Sequence, residues 1–167
     1  MPSTGSGVLA WPVDSVKITQ FFGKTSFSTQ NPQVYNGKGH NGIDLRASVG
    51  TPIKAALAGT VEGVGDTDTV CPRASYGKWV LIRHANGLST LYAHLSLIRV
   101  GPGQSVSTRE IVGYGGNTGY STGPHLHFTV YATQGVKITA LKSRACRGTY
   151  TIPVADLKAY LNPLSYL

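Results

Sequence analysis

The sequence predicts an all-β fold, and three observations support this. Only 13% of the 167 residues are charged and 21 are glycine. Short β-branched and aromatic runs recur between turn signals, and only one segment has convincing helical spacing. A chain of this length falls within the usual size of one domain. We expect residues 8–167 to form that domain and residues 1–7 (MPSTGSG) to be a linker or a trimmed start.

The first part of the chain is predicted to contribute short strands. Residues 16–21 have a strand pattern, and residues 24–39 are polar and loop-like. We expect three successive strands after this loop, in GHNGIDLRA, in residues 52–58 and in the alternating segment GTVEGVG.

A β-hairpin is the clearest local prediction. The runs KWVLIRH (78–84) and LSTLYAH (88–94) are separated by Ala85-Asn86-Gly87. Asn-Gly tolerates positive φ and favours tight hairpin turns, so the two runs are expected to pair antiparallel. His94 then lies near the end of the second strand, and His84 is interpreted as a solvated residue at a strand end.

The strand that follows carries two histidines on one face. Residues 106–113 predict a short strand, and residues 114–124 (YGGNTGYSTGP) form a loop too rich in glycine for a helix. The next segment, HLHFTVY, alternates with a period of two. One face then holds His125, His127, Thr129 and Tyr131.

The C-terminal region is predicted to contain a disulfide-pinned excursion and a short helix. Cys71 and Cys146 lack the spacing of structural zinc sites, and we expect them to form a disulfide, which implies an oxidising compartment. Two unpaired thiols are the alternative. Residues 132–150 would be held by this bond to the 66–76 loop. Residues 154–161 (VADLKAYL) have helical spacing, and Asn162-Pro163 would end that helix.

Two weak pairs of residues together suggest a catalytic metal site. His125 and His127 project about 7 Å apart on one strand face, an arrangement that is common on ordinary protein surfaces. His40 and Asp44 share a face if their segment is extended. These two residues and one histidine of the strand pair would supply the three protein ligands of a catalytic zinc site.

The remaining histidines are the predicted proton-handling groups. Many zinc peptidases use the Glu of HExxH as a general base, but this chain has only Glu62 and Glu110, and neither is near a histidine in sequence. His94 and the spare histidine of the pair are therefore better placed, because an imidazole titrates near neutral pH.

These segments resemble the lysostaphin/LytM-type zinc metallopeptidases, a family of peptidoglycan endopeptidases. GHNGIDL, TLYAHLS and GYSTGPHLHF resemble its three histidine motifs, and ITQFFG and GTPIKAALAGTVEGVG extend the match. The resemblance implies a duplicated hybrid motif fold, a β-sandwich-like stack of antiparallel strands with a groove walled by loops.

The resemblance also implies roles for individual residues. It places one Zn²⁺ on His40, Asp44 and His127 and the catalytic histidines at His94 and His125. Two features depart from the family pattern. Thr129 stands where many members have Glu, and the segments around Cys71 and 134–150 look like insertions that would affect substrate choice if they border the groove.

The function implied is hydrolysis of amide bonds in peptidoglycan cross-links by an extracytoplasmic enzyme, which we expect to be a monomer. No apolar stretch reaches the roughly 20 residues of a membrane span, and the N-terminus lacks a signal-peptide pattern. Any signal or anchor would belong to a longer native chain.

Three other functions are weaker interpretations. A non-catalytic wall-binding or hydrolase-regulating member of the same fold would generally have a broken metal set. D-alanyl-D-alanine carboxypeptidases with a His, Asp and His site space the first pair more widely and supply a Glu. The charge of +8 would attract polyanions, but the basic residues are dispersed, so we expect no nucleic-acid partner. The sequence leaves open which cross-link bond is cut.

Overall fold

The computed structural model describes residues 5–23 and 39–167, and strands are the main regular elements of this part of the chain. Residues 1–4 and the part of the expected polar loop at 24–38 lie outside the described residues. The strands are β1 (Ile18–Gln20), β2 (Ile43–Arg46), β3 (Pro52–Lys54), β4 (Gly59–Asp66), β5 (Lys78–His84), β6 (Leu88–Ile98), β7 (Ser105–Val106), β8 (Ile111–Gly115), β9 (His125–Ala132), β10 (Val136–Lys142), β11 (Thr149–Ala155) and β12 (Tyr160–Leu161). Three-residue 3₁₀ turns occur at Thr67–Thr69, Thr133–Gly135, Leu157–Ala159 and Pro163–Ser165.

The all-β prediction is confirmed, and every strand pairing among these elements is antiparallel. The main sheet follows the order β1-β2-β9-β6-β5-β4-β7, with β3, β8 and β12 joined at its sides. The predicted hairpin is present as β5 and β6. The strand with a period of two is present as β9, which lies between β2 and β6.

The central strands of this sheet are buried on both faces. One face packs the larger cluster, which includes Leu45, Tyr92 and Phe128. The other face packs a smaller cluster that includes Trp79 and Tyr131. Because side chains alternate along a strand, His125, His127 and Thr129 share the second face with Tyr131. The histidines thus stand beside a small core rather than on an open surface.

A second sheet, formed by β10 and β11, covers part of that second face. The indole Nε1 of Trp79 donates a hydrogen bond to the carbonyl of Thr151, at 3.2 Å. A disulfide joins Cys71 to Cys146 across 75 residues of chain, as predicted. It links the β10–β11 hairpin to the loop between β4 and β5.

The predicted C-terminal helix over residues 154–161 is wrong. Its first two residues end β11, Leu157–Ala159 form a 3₁₀ turn, and Tyr160–Leu161 pair with β9. Eight residues are too few for a stable isolated helix, and the edge of β9 offers hydrogen-bonding partners to an extended chain. Within the described residues, no helix is both long and apolar enough to cross a membrane.

Candidate metal centre and active site

Strand register brings two of the expected ligands together. Asp44 on β2 lies directly opposite His127 on β9, and paired residues on one face of a sheet have Cβ atoms about 5 Å apart. His40 precedes β2 and is fixed by paired backbone hydrogen bonds with Gly23, at 2.7 and 2.8 Å. The sheet therefore delivers an imidazole, a carboxylate and a second imidazole to one point.

Three atoms of this group form a nearly equilateral triangle. His40 Nε2 lies 3.2 Å from His127 Nδ1, and each of these nitrogens lies 3.2 Å from Asp44 Oδ1. Both histidines are buried, at 2% and 4% exposure. A tetrahedral zinc ion with bonds of about 2.0–2.1 Å separates its ligand atoms by roughly 3.3 Å. The spacing of the donor atoms fits a tetrahedral metal ion with a fourth position open.

Outer hydrogen bonds fix the orientation of the two imidazoles. His40 Nδ1 donates to the carbonyl of Phe21 at 3.1 Å. A carbonyl can only accept, so the Nε2 of His40 carries the lone pair that faces the triangle. The Nε2 of His127 lies 2.7 Å from the hydroxyl Oγ1 of Thr129. Thr129 therefore contacts the ring nitrogen of His127 that points away from the triangle.

The electrostatics of the group favour an ionised Asp44 carboxylate and a neutral His127 imidazole. Burial opposes ionisation of Asp44, but the contacts of its carboxylate with the rings of His127 and His40 outweigh it and hold the pKa of Asp44 well below its usual range. Burial lowers the pKa of His127, although Asp44 opposes that shift. Neutral imidazole and carboxylate are the protonation states that bind a metal ion.

His125 lies at the rim of the triangle with a defined tautomer. Its Nδ1 donates to the carbonyl of Gly123 at 2.8 Å, and Ser121 Oγ lies 3.1 Å from the same nitrogen. Its Nε2 lies 3.6 Å from Asp44 Oδ1. The nitrogen that can accept a proton therefore faces the carboxylate.

His94 is placed by a bulge in β6. The register of β6 shifts opposite β5 between Lys78 and Val80, and His94 has a φ of 61°, which is uncommon for a residue other than glycine. Its Nδ1 donates to the carbonyl of Thr118 at 2.7 Å. Burial, with the neighbouring His125 and His127 as the next contributors, lowers the pKa of His94 to about 3.

The five predicted residues therefore meet in one place. The His94 ring centroid lies 4.8 Å from that of His125 and 6.0 Å from that of His127. The group opens into a groove of about 1320 Å³. Both segments interpreted as insertions border this groove, through Ala74 on one and Leu141 and Ala145 on the other.

Comparison with known proteins identifies the family. The sequence profile of peptidase family M23 matches residues 38–140, which is more than half of the chain. The chain belongs to peptidase family M23. All five residues of the group lie within the matched range, and the predicted resemblance to lysostaphin-type peptidases is confirmed.

Two curated relatives of this M23 chain are named as DD-peptidases. It is 43% identical over 98 residues to the DD-carboxypeptidase/endopeptidase Mpg of Neisseria meningitidis, covering 59% of this chain and 21% of that protein. It is 39% identical over 104 residues to the peptidoglycan DD-endopeptidase ShyA of Vibrio cholerae, covering 62% and 23%. The chain thus spans about a fifth of the length of these relatives.

Two solved structures similar to this M23 chain are peptidases by name. The catalytic domain of lysostaphin from Staphylococcus simulans has a TM-score of 0.60 with 28% identity, covering 80% of this chain and 87% of that chain. A zinc-containing peptidase from Vibrio cholerae has a TM-score of 0.61 with 29% identity, covering 79% of this chain and 38% of that one.

His84 does not join the M23 site, and its interpretation as a solvated residue is wrong. Its side chain is 4% exposed, with Nδ1 donating to the carbonyl of Ala58 at 3.0 Å and Nε2 lying 2.8 Å from Thr90 Oγ1. Gly59, opposite His84 in the β4–β5 pairing, leaves the room for this ring, since a Cβ there would meet Nδ1 at 2.8 Å. Burial lowers the pKa of His84, although the bond to Ala58 opposes that shift.

Sequence reasoning missed several residues that support the M23 site. Tyr76 stacks on the ring of His127, with centroids 5.6 Å apart, and its hydroxyl accepts a hydrogen bond from Asn41 Nδ2 at 3.0 Å. Thr118 supplies the carbonyl that orients His94. The one sequence signal for Thr118 was its place in the glycine-rich loop before the last histidine motif. Nothing in the sequence pattern indicated Tyr76.

Proposed function

We propose that the chain is a zinc-dependent endopeptidase that hydrolyses amide bonds in the peptide cross-links of bacterial peptidoglycan. The triangle of His40 Nε2, Asp44 Oδ1 and His127 Nδ1, with 3.2 Å between each pair of atoms, carries this proposal. In it, these three residues hold one Zn²⁺, and His94 and His125 are the catalytic histidines.

The protein residues in this proposal bind the metal and move protons. When bound, zinc supplies a Lewis acid that polarises the scissile carbonyl and lowers the pKa of a water at the open fourth position. His125 and His94 each hold a proton on Nδ1 and present Nε2 as an acceptor. The Nε2 of His125, at the rim of the triangle, is placed to take the proton of the attacking water and return it to the leaving amine, whereas the lowered pKa of the buried His94 makes that ring the weaker proton acceptor.

The substrate class is supported by the relatives and by the shape of the site. ShyA is a peptidoglycan DD-endopeptidase by name, and residues of both inserted segments line the groove beside the triangle. Ile152, Val154 and Leu157 give one part of the groove an apolar wall. A peptide bound in this groove would place one of its amide bonds next to the His40, Asp44 and His127 triangle.

An extracytoplasmic location belongs to the same proposal. Peptidoglycan lies outside the cytoplasm, and the Cys71–Cys146 disulfide is the kind of bond that persists in oxidising compartments. Both features point to a periplasmic, wall-associated or secreted protein.

Cleavage of purified cell walls tests the proposal. The chain would be stripped of metal with a chelator, reloaded with one equivalent of Zn²⁺, and incubated with walls of known cross-link chemistry. Mass spectrometry of the soluble fragments should show cross-linked peptides converted to shorter ones, with glycan strands intact, only for the reloaded protein. Stoichiometric zinc without cleavage of any wall would favour a non-catalytic wall-binding member of the fold and overturn the proposal.

A further inference from the structure

Arg46 is an exposed residue that lines the groove beside a proposed catalytic histidine. On β2, Ile43 and Leu45 are buried in the larger core, so Asp44 and Arg46 share the opposite face. Arg46 is paired directly with His125 on β9. The Arg46–His125 pair therefore follows the Asp44–His127 pair of the triangle two positions along the strands, as the next pair on the same face of the sheet.

This positive charge has no counter-ion within the part of the chain that the structure describes. Arg46 takes part in none of the ion pairs there. Among the described residues lining the groove, Asp44 is the only acid, and its carboxylate already faces three histidines. Arg46 and Arg73 supply the remaining formal charges of that lining. The groove thus offers unmatched positive charge to whatever lies along it.

We propose that Arg46 binds a carboxylate of the substrate peptide, positioned next to the amide bond that is cut. The inference rests on the proposed peptidase function and specifies the substrate as an anionic peptide. A planar guanidinium matches a carboxylate through two parallel hydrogen bonds. The strand pairing with His125 sets the position, because the bound carboxylate would lie within a few bonds of an amide held over the triangle.

A matched pair of substrates tests this role. Two cross-linked peptides would differ only in the carboxyl group beside the scissile amide, which is free in one and a carboxamide in the other. The zinc-loaded wild-type chain should cleave the carboxylate with a kcat/KM at least tenfold higher, because hydrogen bonds between charged groups contribute that much. In Arg46→Gln the advantage should fall to less than threefold, and Arg46→Lys should retain part of it.

The control variant is Arg83→Gln, which removes an exposed strand arginine that does not line the groove. It should keep the wild-type preference, which excludes a general effect of net charge. Arg46→Gln should also bind the free-carboxylate cleavage product at least tenfold more weakly, measured by calorimetry with metal-free protein, whereas its zinc stoichiometry should stay at the wild-type value.

Two results would overturn the role of Arg46. One is equal cleavage of both peptides by the wild-type chain, which would leave the peptidase proposal intact. The other is a carboxylate preference that Arg46→Gln and Arg83→Gln retain alike. Failure of the peptidase proposal itself would look different, since neither peptide would then be cut at all.

Discussion

At the residue scale, the site depends on which nitrogen of each histidine carries a proton. His40, His94 and His125 all donate from Nδ1 to a backbone carbonyl and present Nε2 to the site. His127 has the reverse arrangement, with Nδ1 in the triangle. The sequence motifs predicted which histidines meet. They could not predict these orientations, because the accepting carbonyls belong to loops whose paths depend on the whole fold.

Thr129 is predicted to tune metal affinity through His127. In the metal-bound state the Nε2–H of His127 donates to Thr129 Oγ1, and such outer hydrogen bonds are typically worth 10–100-fold in metal affinity. Thr129→Val removes the acceptor with little change in size, so zinc should bind about tenfold more weakly in a chelator-competition titration. Thr129→Ser keeps a hydroxyl and should stay within about threefold of wild type. Equal affinities for the valine and serine variants would contradict this role.

His84 is predicted to make folding stability depend on pH. Its pKa is lowered in the folded state, whereas in the unfolded chain it titrates near 6.5. Below about pH 6.5 the unfolded state therefore binds more protons, and the free energy of unfolding falls as pH decreases toward the lower folded pKa. His84→Gln cannot titrate, so urea unfolding at pH 7.5 and 5 should show a smaller loss than in wild type. Equal losses in the two proteins would show that His84 does not contribute.

At the scale of elements, local turn chemistry was a better guide than side-chain periodicity in short segments. Asn86-Gly87 predicted the β5–β6 hairpin because the turn itself fixes the pairing. The spacing in 154–161 predicted a helix, but Leu157 in that turn is 62% exposed, so the pattern does not describe a buried face. Residues 160–161 instead complete the edge of β9, a long-range pairing that no local pattern can indicate.

Two loops that support His94 are joined by Asp68. Its carboxylate accepts hydrogen bonds from the backbone N–H groups of Arg73 at 3.0 Å and Gly119 at 3.1 Å. Gly77 and Gly119 pack so closely that a Cβ on either would lie within 2.5 Å of the other's backbone nitrogen. This clamp holds the carbonyl of Thr118, next to Gly119, against His94.

Removing the clamp is predicted to lower turnover more than metal binding. Asp68→Ala removes the hydrogen bond to the N–H of Gly119 that helps to hold the carbonyl of Thr118 at His94 Nδ1, so kcat for wall peptides should fall at least tenfold while zinc content stays at the wild-type level. Asp68→Asn retains an acceptor oxygen and should recover part of the rate. Asp156→Ala is the control, because Asp156 is exposed and its side chain caps no turn. A kcat for Asp68→Ala equal to that of this control would contradict the clamp.

At the scale of the whole molecule, the sequence predicted the fold class, the disulfide and the convergence of five residues. It did so because strand alternation and three ordered motifs restrict how the chain can pair. The burial of His84 and the covering of the second face by β10 and β11 depend on contacts between distant segments. Those contacts leave no periodic signal in the sequence.

The Cys71–Cys146 disulfide is predicted to stabilise the whole molecule and the groove wall. Closing a loop of 75 residues reduces the entropy of the unfolded chain by an amount worth about 4 kcal/mol in the chain-entropy model. The Cys71→Ser/Cys146→Ser double variant should therefore unfold at lower urea concentration, with a free energy of unfolding about 2–4 kcal/mol smaller. An unchanged midpoint would show that the crosslink does not constrain the unfolded state.

Zinc stoichiometry in five single variants, with wall cleavage measured on the same samples, tests the central claim most directly. His40→Ala, Asp44→Ala and His127→Ala each remove a ligand and should lose both zinc and cleavage. His94→Ala and His125→Ala should bind one zinc per chain and still release at least a hundredfold less peptide than wild type. Cleavage retained in His94→Ala, or a full zinc complement in His127→Ala, would contradict the assignment of these residues.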